Sequence, residues 1–177
     1  RAGGHAGVLT PTQLLEELSP LGKPVVCAGG IGDAAEFSRI IKMGYSGAQL
    51  GTRFIASEEC SAHTDYKEAI INARESDITL TDKISGVPVS IIKTPYIERI
   101  GTHAGPLARK LLRGRKTKRW VRSFYTLQSV WKLKKGSTQG MNYRDYLQAG
   151  KSVEGITKVQ SVSEIVADYA SAIKGFK

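Results

Sequence analysis

Apolar side chains recur at helical spacing in two segments near the start of the chain. Thr10, followed by Pro11 and by Gln13 three positions on, is a candidate N-cap for the first segment. Asp33 is the corresponding candidate for the second, which ends at Gly44. These patterns predict two amphipathic helices, with buried stripes at Leu14, Leu15 and Leu18 and at Phe37, Ile40 and Ile41.

Short apolar runs separate these helices. Residues 24–28 form a continuous run that ends at two glycines, as in a strand buried on both faces. A second strand is predicted over residues 48–50, closed by Gly51, and a helix over residues 64–74. The alternation predicts parallel βα units, whose ligands bind at the carboxyl ends of the strands.

The pattern changes from residue 77 onward. Residues 77–97 predict one or two strands outside the βα series, and residues 105–133 predict an amphipathic helical segment. A short helix with a loop is expected over residues 143–156. The last helix, over residues 161–176, has Ser163 as candidate cap and Ile165, Val166, Tyr169 and Ile173 on its inner face.

Composition places the chain among soluble globular proteins. It has 177 residues, of which 41% are apolar and 24% charged. No apolar run reaches the length of a membrane helix, and no secretory signal pattern is present in the sequence given. Cys27 and Cys60 are too few for a disulfide framework or a zinc site, and Cys27 reads as a core residue. We therefore expect a cytoplasmic protein without a metal.

The net charge of +10 comes from one segment. Residues 99–144 contain 13 Lys and Arg and no Asp or Glu, which leaves 13 basic and 16 acidic residues elsewhere, a net of −3. The densest part is Arg109–Arg122. A solvated helix face or a contact within an assembly is favoured, and a binding module for nucleic acid is the alternative from another class.

Two glycine-containing loops are the first candidate binding site. Gly29 and Gly30 join a predicted strand to a helix start, and Gly51 with the Thr52 hydroxyl repeats the arrangement one unit later. Backbone amides and a helix N-terminus at one place suit a phosphate group. The alternative is that the glycines only permit the positive φ of tight turns, and the spacing alone does not decide between the two.

His5 is the candidate catalytic residue. It precedes the first βα-type helix, so we expect it at the same face as the two loops, where an imidazole could exchange a proton near neutral pH. The alternative is a loop histidine bonded to the backbone. His63 is expected to be solvated or to cap a helix, and His103 to lie in a loop without a functional role.

Three motifs together resemble one enzyme family. AGGH at Ala2–His5, AGGI at Ala28–Ile31 and GAQLGTRF at Gly47–Phe54 resemble the nitronate monooxygenases (2-nitropropane dioxygenases) and the related FMN-dependent enoyl-acyl-carrier-protein reductases. YLQAGKSVEGI at Tyr146–Ile156 resembles the C-terminal pattern of the nitronate monooxygenases. The segment from Leu107 to Gly140 matches least.

The resemblance implies a fold and a set of site residues. The fold is α/β, the C-terminal portion of a (β/α)₈ TIM barrel with an FMN site, plus a mainly helical C-terminal extension. The FMN phosphate would lie at Gly29-Gly30 and at Gln49-Leu50-Gly51-Thr52. Gly3 and Gly4 would pass close to the isoalloxazine, and His5 would be the base above it.

The implied division of the chain has three parts. Residues 1–76 are the last βα units with the phosphate loops, residues 77–145 an inserted basic helical segment on the substrate side, and residues 146–177 a return to the barrel. Arg1 stands where the family motif usually has Glu. The expected partners are the upstream half of the barrel and a small-molecule substrate, with a homodimer as an open option.

The expected function is oxidation of nitroalkanes or nitronates with O₂ by an FMN-dependent nitronate monooxygenase. The alternative is NAD(P)H-dependent reduction of enoyl thioesters or quinones with the same cofactor.

Overall fold

The computed structural model describes residues 4–5, 9–82, 88–103 and 146–175, with residues 4–5 described by backbone alone. The predicted helical segment over residues 105–133, including the basic stretch Arg109–Arg122, lies outside the described residues, as do Arg1 and Gly3. No helix in the described ranges is long and apolar enough to cross a membrane. The elements are β1 (Gly4–His5), α1 (Pro11–Leu18), β2 (Val26–Ala28), α2 (Ala34–Lys42), β3 (Gly47–Gln49), α3 (Thr52–Ile55), α4 (Thr64–Asn72), β4 (Ile78–Thr81), β5 (Val89–Ile92), α5 (Pro95–Ile100) and α6 (Val162–Ala172).

Strands β2 and β3 form the parallel pair that the alternating pattern predicts. Their register pairs Val26 with Gly47 and Ala28 with Gln49. Helices α2 and α6 pack against each other and cover one face of the pair. The core of this layer consists of Cys27, Ile31, Ile40, Tyr45, Ile165 and Tyr169.

The prediction that β2 is buried on both faces is wrong. Only Cys27 is buried, whereas Val26 is 57% exposed and Ala28 is exposed as well. Successive side chains of a strand point to opposite faces, and Cys27 points to the helical layer. No described residue covers the opposite face enough to bury it.

Local capping signals fix the helix starts. The Thr10 side chain accepts a hydrogen bond from the Gln13 backbone N–H, and the Gln13 side chain accepts one from the Thr10 N–H, so the predicted capping box is confirmed. The predicted buried stripe of α1 is wrong in part, since Leu14 and Leu18 are each 38% exposed. Leu15 alone of the three packs on the core.

The terminal helix α6 begins earlier than its predicted cap. Ser161 rather than Ser163 is the N-cap, because Glu164 stands three residues after Ser161 and completes a capping box with it. Ile165 and Tyr169 are buried as predicted, whereas Val166 is 54% exposed.

A second, antiparallel sheet has the order β1–β5–β4. It contains the two strands predicted after residue 77, and all four residues of β5 are buried. The end of that predicted strand region is instead helix α5, which begins at Pro95 because the Thr94 side chain accepts a hydrogen bond from the Ile97 N–H. Beside this sheet, α4 and residues 147–156 form a separate core with Ile70, Ile92, Leu147, Val153 and Ile156 among its members.

Candidate functional site

The two glycine-containing loops meet at one open cavity of ≈ 400 Å³. Both predicted loops contribute, and residues from α4 and from the C-terminal part of the chain complete the wall. The lining residues are Ala28, Gly29, Gly30, Ile31, Gln49, Leu50, Gly51, Thr52, Ile55, Tyr66, Gln148 and Ser152. We call this space the loop cavity.

The first loop has the backbone shape that only glycine adopts easily. Gly29 and Gly30 have φ values of +84° and +80°, so the turn itself requires both glycines. The Gly29 N–H donates to the Gln49 carbonyl over 3.4 Å and thereby extends the β2–β3 pairing. Within the described residues, the Gly30 N–H has no acceptor, so Gly30 rather than Gly29 offers a free amide to a ligand.

The second loop is tied to the C-terminal part of the chain. The buried Thr52 hydroxyl oxygen accepts a hydrogen bond from the Gly150 N–H over 3.2 Å. The Thr52 hydroxyl, which the sequence assigns to a ligand, thus already accepts a hydrogen bond from the protein. Its own hydrogen can still be donated to a ligand. Gly51, by contrast, is exposed, and a Cβ built on it would have no atom within 4 Å.

The N-terminus of α2 does not serve the loop cavity as predicted. Asp33 caps it, with its Oδ1 accepting from the Glu36 N–H at 2.7 Å. Asp33 and Ala34 line a different cavity. A carboxylate therefore already occupies the positive end of this helix.

Three polar residues of the cavity were not predicted as site residues: Tyr66, Gln148 and Ser152. Tyr66 is buried, and its hydroxyl donates to the Gln148 carbonyl over 2.5 Å. Burial raises the pKa of Tyr66 well above its usual value, so the phenol remains a neutral donor at physiological pH. A signal existed for Tyr66, because it lies four residues before the buried Ile70 on the inner side of α4.

The backbone register places His5 beside the same region. Gly4 and His5 form strand β1 rather than a loop, and they pair with Ser90 and Val89 of β5. Strand β4 occupies the opposite edge of β5 over its whole length, so the bridge from Ile91 to Gln148 lies on the edge that β1 uses. His5 and the cavity residue Gln148 therefore follow one another along a single strand edge, about 7 Å apart by the rise of β5.

The other two histidines have local roles. His63 caps α4, and its Nδ1 accepts from the Asp65 N–H at 3.3 Å. His103 lies 3.8 Å from the Asp82 carboxylate and is mostly exposed. Among the described residues that line the loop cavity there is neither His63 nor His103.

Among the described residues, no charged side chain lines the loop cavity. Arg53 follows Thr52 but is 3% exposed, and its guanidinium donates to the Lys158 carbonyl at 3.1 Å and to the Gln160 side chain at 2.6 Å. Burial lowers the pKa of Arg53, which nevertheless stays charged. The described groups that could hold an anion in the cavity are therefore backbone amides and hydroxyls.

Neighbouring parallel strands whose following loops share one cavity define an α/β protein, the class in which ligands bind at the carboxyl ends of the strands. The family profile of nitronate monooxygenase matches residues 1–171, and the chain belongs to this family. A probable nitronate monooxygenase of Staphylococcus saprophyticus is 33% identical over 116 residues, which cover 58% of this chain and 32% of that protein.

Solved structures agree on the architecture. FabK from Thermotoga maritima superposes with a TM-score of 0.75 at 26% identity, over 99% of this chain and 52% of that one. The nitroalkane oxidase of Streptomyces ansochromogenes gives a TM-score of 0.66 at 23% identity, over 99% and 51%. The chain thus spans about half the length of these structures and a third of the curated relative. The predicted partial barrel is confirmed, because the described residues are mixed α/β without a closed barrel and match half of barrel enzymes.

Proposed function

We propose that the loop cavity holds the phosphate group of FMN and that the full-length protein oxidises nitroalkanes or nitronates with O₂. The observation that carries the proposal is the convergence of two loops, about 20 residues apart in the chain, on one cavity of ≈ 400 Å³. The family match and the probable nitronate monooxygenase relative support the choice of reaction.

The chemistry of the cavity wall fits a phosphate. The Gly30 and Gly51 amides donate to no other described residue, and the Thr52 hydroxyl hydrogen is available beside them. Neutral donors suit a phosphate that is part of a larger ligand, because they orient it through hydrogen bonds without an ion pair. Gln49 and Leu50 complete the wall between the two loops, and Gly3 and Gly4 are proposed to pass near the ring of the cofactor.

FMN, when bound, supplies the transfer of electrons from the substrate to O₂. We assign to His5 the proton that a neutral nitroalkane must first lose from the carbon bonded to its nitro group. The His5 imidazole would accept that proton and leave the anionic nitronate. The position of β1, in line with Gln148 along β5, is what supports this role.

The experiment compares two substrates that differ only in this proton. Full-length protein should be yellow, and it should consume O₂ with both a nitroalkane and the preformed nitronate. In His5→Gln the rate with the nitroalkane should fall by about 10²–10⁴-fold, the usual contribution of a general base, while the rate with the nitronate changes little. His63→Gln is the matched control and should leave both rates unchanged.

Two results would reject this assignment. Equal losses with both substrates in His5→Gln would mean that His5 does not act as the base. A colourless preparation that ignores added FMN would remove the cofactor and the reaction together.

A second reaction is supported by the likeness to FabK at 26% identity and by the motifs shared with FMN-dependent enoyl-acyl-carrier-protein reductases. In this reaction NAD(P)H reduces the flavin, and an enoyl thioester or a quinone accepts the electrons. Rapid bleaching of the bound flavin by NAD(P)H without oxygen, with no O₂ uptake from nitronates, would favour it.

A further inference from the structure

The C-terminal segment Tyr146–Ile156, which we call the closing segment, touches both sides of the candidate site. Near its start, the Leu147 carbonyl accepts from the Ile92 N–H of β5 at 2.8 Å. Three residues later, the Gly150 N–H donates to the Thr52 hydroxyl oxygen of the second loop. The closing segment therefore joins the antiparallel sheet to the loop cavity.

The same segment presses directly on the first loop. A Cβ built on Gly32 would lie 2.0 Å from the Ser152 carbonyl oxygen, and one built on Gly155 would lie 2.7 Å from an Asp33 carboxylate oxygen. Backbone therefore meets backbone here, and glycine on each side makes this possible. The Ser152 carbonyl lies against Gly32 of the first loop, and the nearby Gly150 N–H is bonded to Thr52 of the second loop. Ser152 therefore lies between the two loops.

The Ser152 hydroxyl is placed for a ligand. Ser152 is 6% exposed and lines the loop cavity, and its hydroxyl makes no hydrogen bond to any residue in the described ranges. Among the described residues the Tyr169 hydroxyl is the one fully buried side-chain group without a partner, so the Ser152 hydroxyl is accessible and can donate to a ligand in the cavity. The adjacent Lys151 does not provide the charge, because its Nζ lies 2.8 Å from Glu75.

We propose that Ser152 donates a hydrogen bond to the phosphate group that the two glycine loops hold. The closing segment is then a third binding element of the phosphate site, supplied from a distant part of the chain. This inference rests on the proposed function for the identity of the ligand. It goes beyond that function by giving one binding contact to a residue outside both loops.

The test separates the phosphate from the rest of the cofactor. Full-length wild type and Ser152→Ala are titrated with FMN and with riboflavin, which lacks the phosphate, by quenching of flavin fluorescence. Ser152→Ala should bind FMN about tenfold more weakly, the effect of about 1.4 kcal/mol in binding free energy. Its affinity for riboflavin should stay within about twofold of wild type, because a phosphate contact is absent from that complex.

Two further variants control for folding. Ser57 is 2% exposed and donates to the Phe54 carbonyl at 2.8 Å, and it does not line the loop cavity. Ser57→Ala should therefore change neither affinity. Ser152→Thr keeps a hydroxyl and should restore the affinity for FMN toward that of wild type.

If Ser152→Ala loses affinity for FMN and riboflavin equally, Ser152 only shapes the cavity. If its affinity for FMN is unchanged, Ser152 does not contact the phosphate. Either result overturns the inference. If wild type binds neither flavin, the proposed function fails, and calorimetry with inorganic phosphate then decides the inference by itself. Weaker phosphate binding in Ser152→Ala would support it, and equal or absent binding in both proteins would reject it.

Discussion

The two sheets of this protein bury their strands to very different extents. In the antiparallel sheet every residue of β5 is buried, with Ile91 at 0% exposure. In the parallel pair only Cys27 of β2 is buried, and Val26 is 57% exposed. The parallel pair supplies the two loops of the loop cavity, whereas the antiparallel sheet supplies the strand edge along which His5 and the closing segment are aligned.

This difference shows how the loops can be precise although their strands are only half covered. The loops are held by the core under β2 and β3, which includes Ile31, and also by contacts at their tips. Thr52 is bonded to Gly150, and Gly32 lies against Ser152, so the closing segment transmits the order of the antiparallel sheet to the loops. The antiparallel sheet thus helps to fix the shape of the loop cavity.

The largest difference between the two sheets should appear in truncations of matched aliphatic residues. Ile91→Ala should lower the free energy of unfolding by about 4 kcal/mol, because a fully buried side chain leaves a cavity. Val26→Ala should lower it by about 0.5 kcal/mol, since that side chain is already half in water. Urea denaturation measures both. Equal losses would mean that the exposed face of β2 is covered in solution.

A smaller but more local effect is expected where the closing segment meets the first loop. Gly32→Ala should cost about 3 kcal/mol, because its Cβ would lie 2.0 Å from a backbone carbonyl that cannot move alone. Gly47→Ala is the matched control, since its Cβ would meet only Val26 at an ordinary 3.9 Å. Thermal unfolding of the two variants gives the comparison. If both are equally stable, the closing segment does not press on the loop.

The smallest effect concerns a pair of tyrosine hydroxyls, one in each region. Tyr66 donates to the Gln148 carbonyl and Tyr45 to the Pro11 carbonyl at 2.7 Å. Tyr66→Phe and Tyr45→Phe should each cost about 1 kcal/mol, the net value of one hydrogen bond. Only Tyr66→Phe should also weaken FMN binding, because only Tyr66 lines the loop cavity.

The free energy of unfolding measured at alkaline pH is an independent check on the role of Tyr66. Burial raises the pKa of Tyr66 in the folded state above the unfolded value near 10. The unfolded chain therefore loses this proton first, and the contribution of Tyr66 is complete below pH 10 and declines above it. The advantage of wild type over Tyr66→Phe should shrink above pH 10. An advantage that is constant to pH 11 would contradict the buried phenol.

What could be predicted from sequence is largely what is decided within a few residues. The caps at Thr10 and Asp33 each accept a hydrogen bond from the backbone N–H three positions later, and both are confirmed. The cap at Ser161 was missed although Glu164 carried the same signal. Burial of β2 and α1 was overestimated, because it depends on which distant segments cover each face.

In the candidate site, too, the local features could be predicted from the sequence and the long-range contacts could not. Glycines directly after a strand indicated both loops, and the structure brings them to one cavity. The partners that complete it are far away in the chain, since Tyr66 bonds a residue 82 positions later and Thr52 one 98 positions later. No local pattern predicts such long-range pairings. The place of Gln148 and Ser152 in the cavity wall could therefore be found only in the folded molecule.

The bond between Thr52 and Gly150 also sets an order of events during synthesis. A ribosome that adds about 5–20 residues per second needs roughly 5–20 s to translate the 98 residues between these partners. Throughout that interval the nascent chain contains both glycine loops, but the closing segment has not yet been synthesised. Under the proposed function, FMN can be fully enclosed only after Gly150 has been made, and a stalled chain that ends before Gly150 should bind FMN more weakly than the full-length protein.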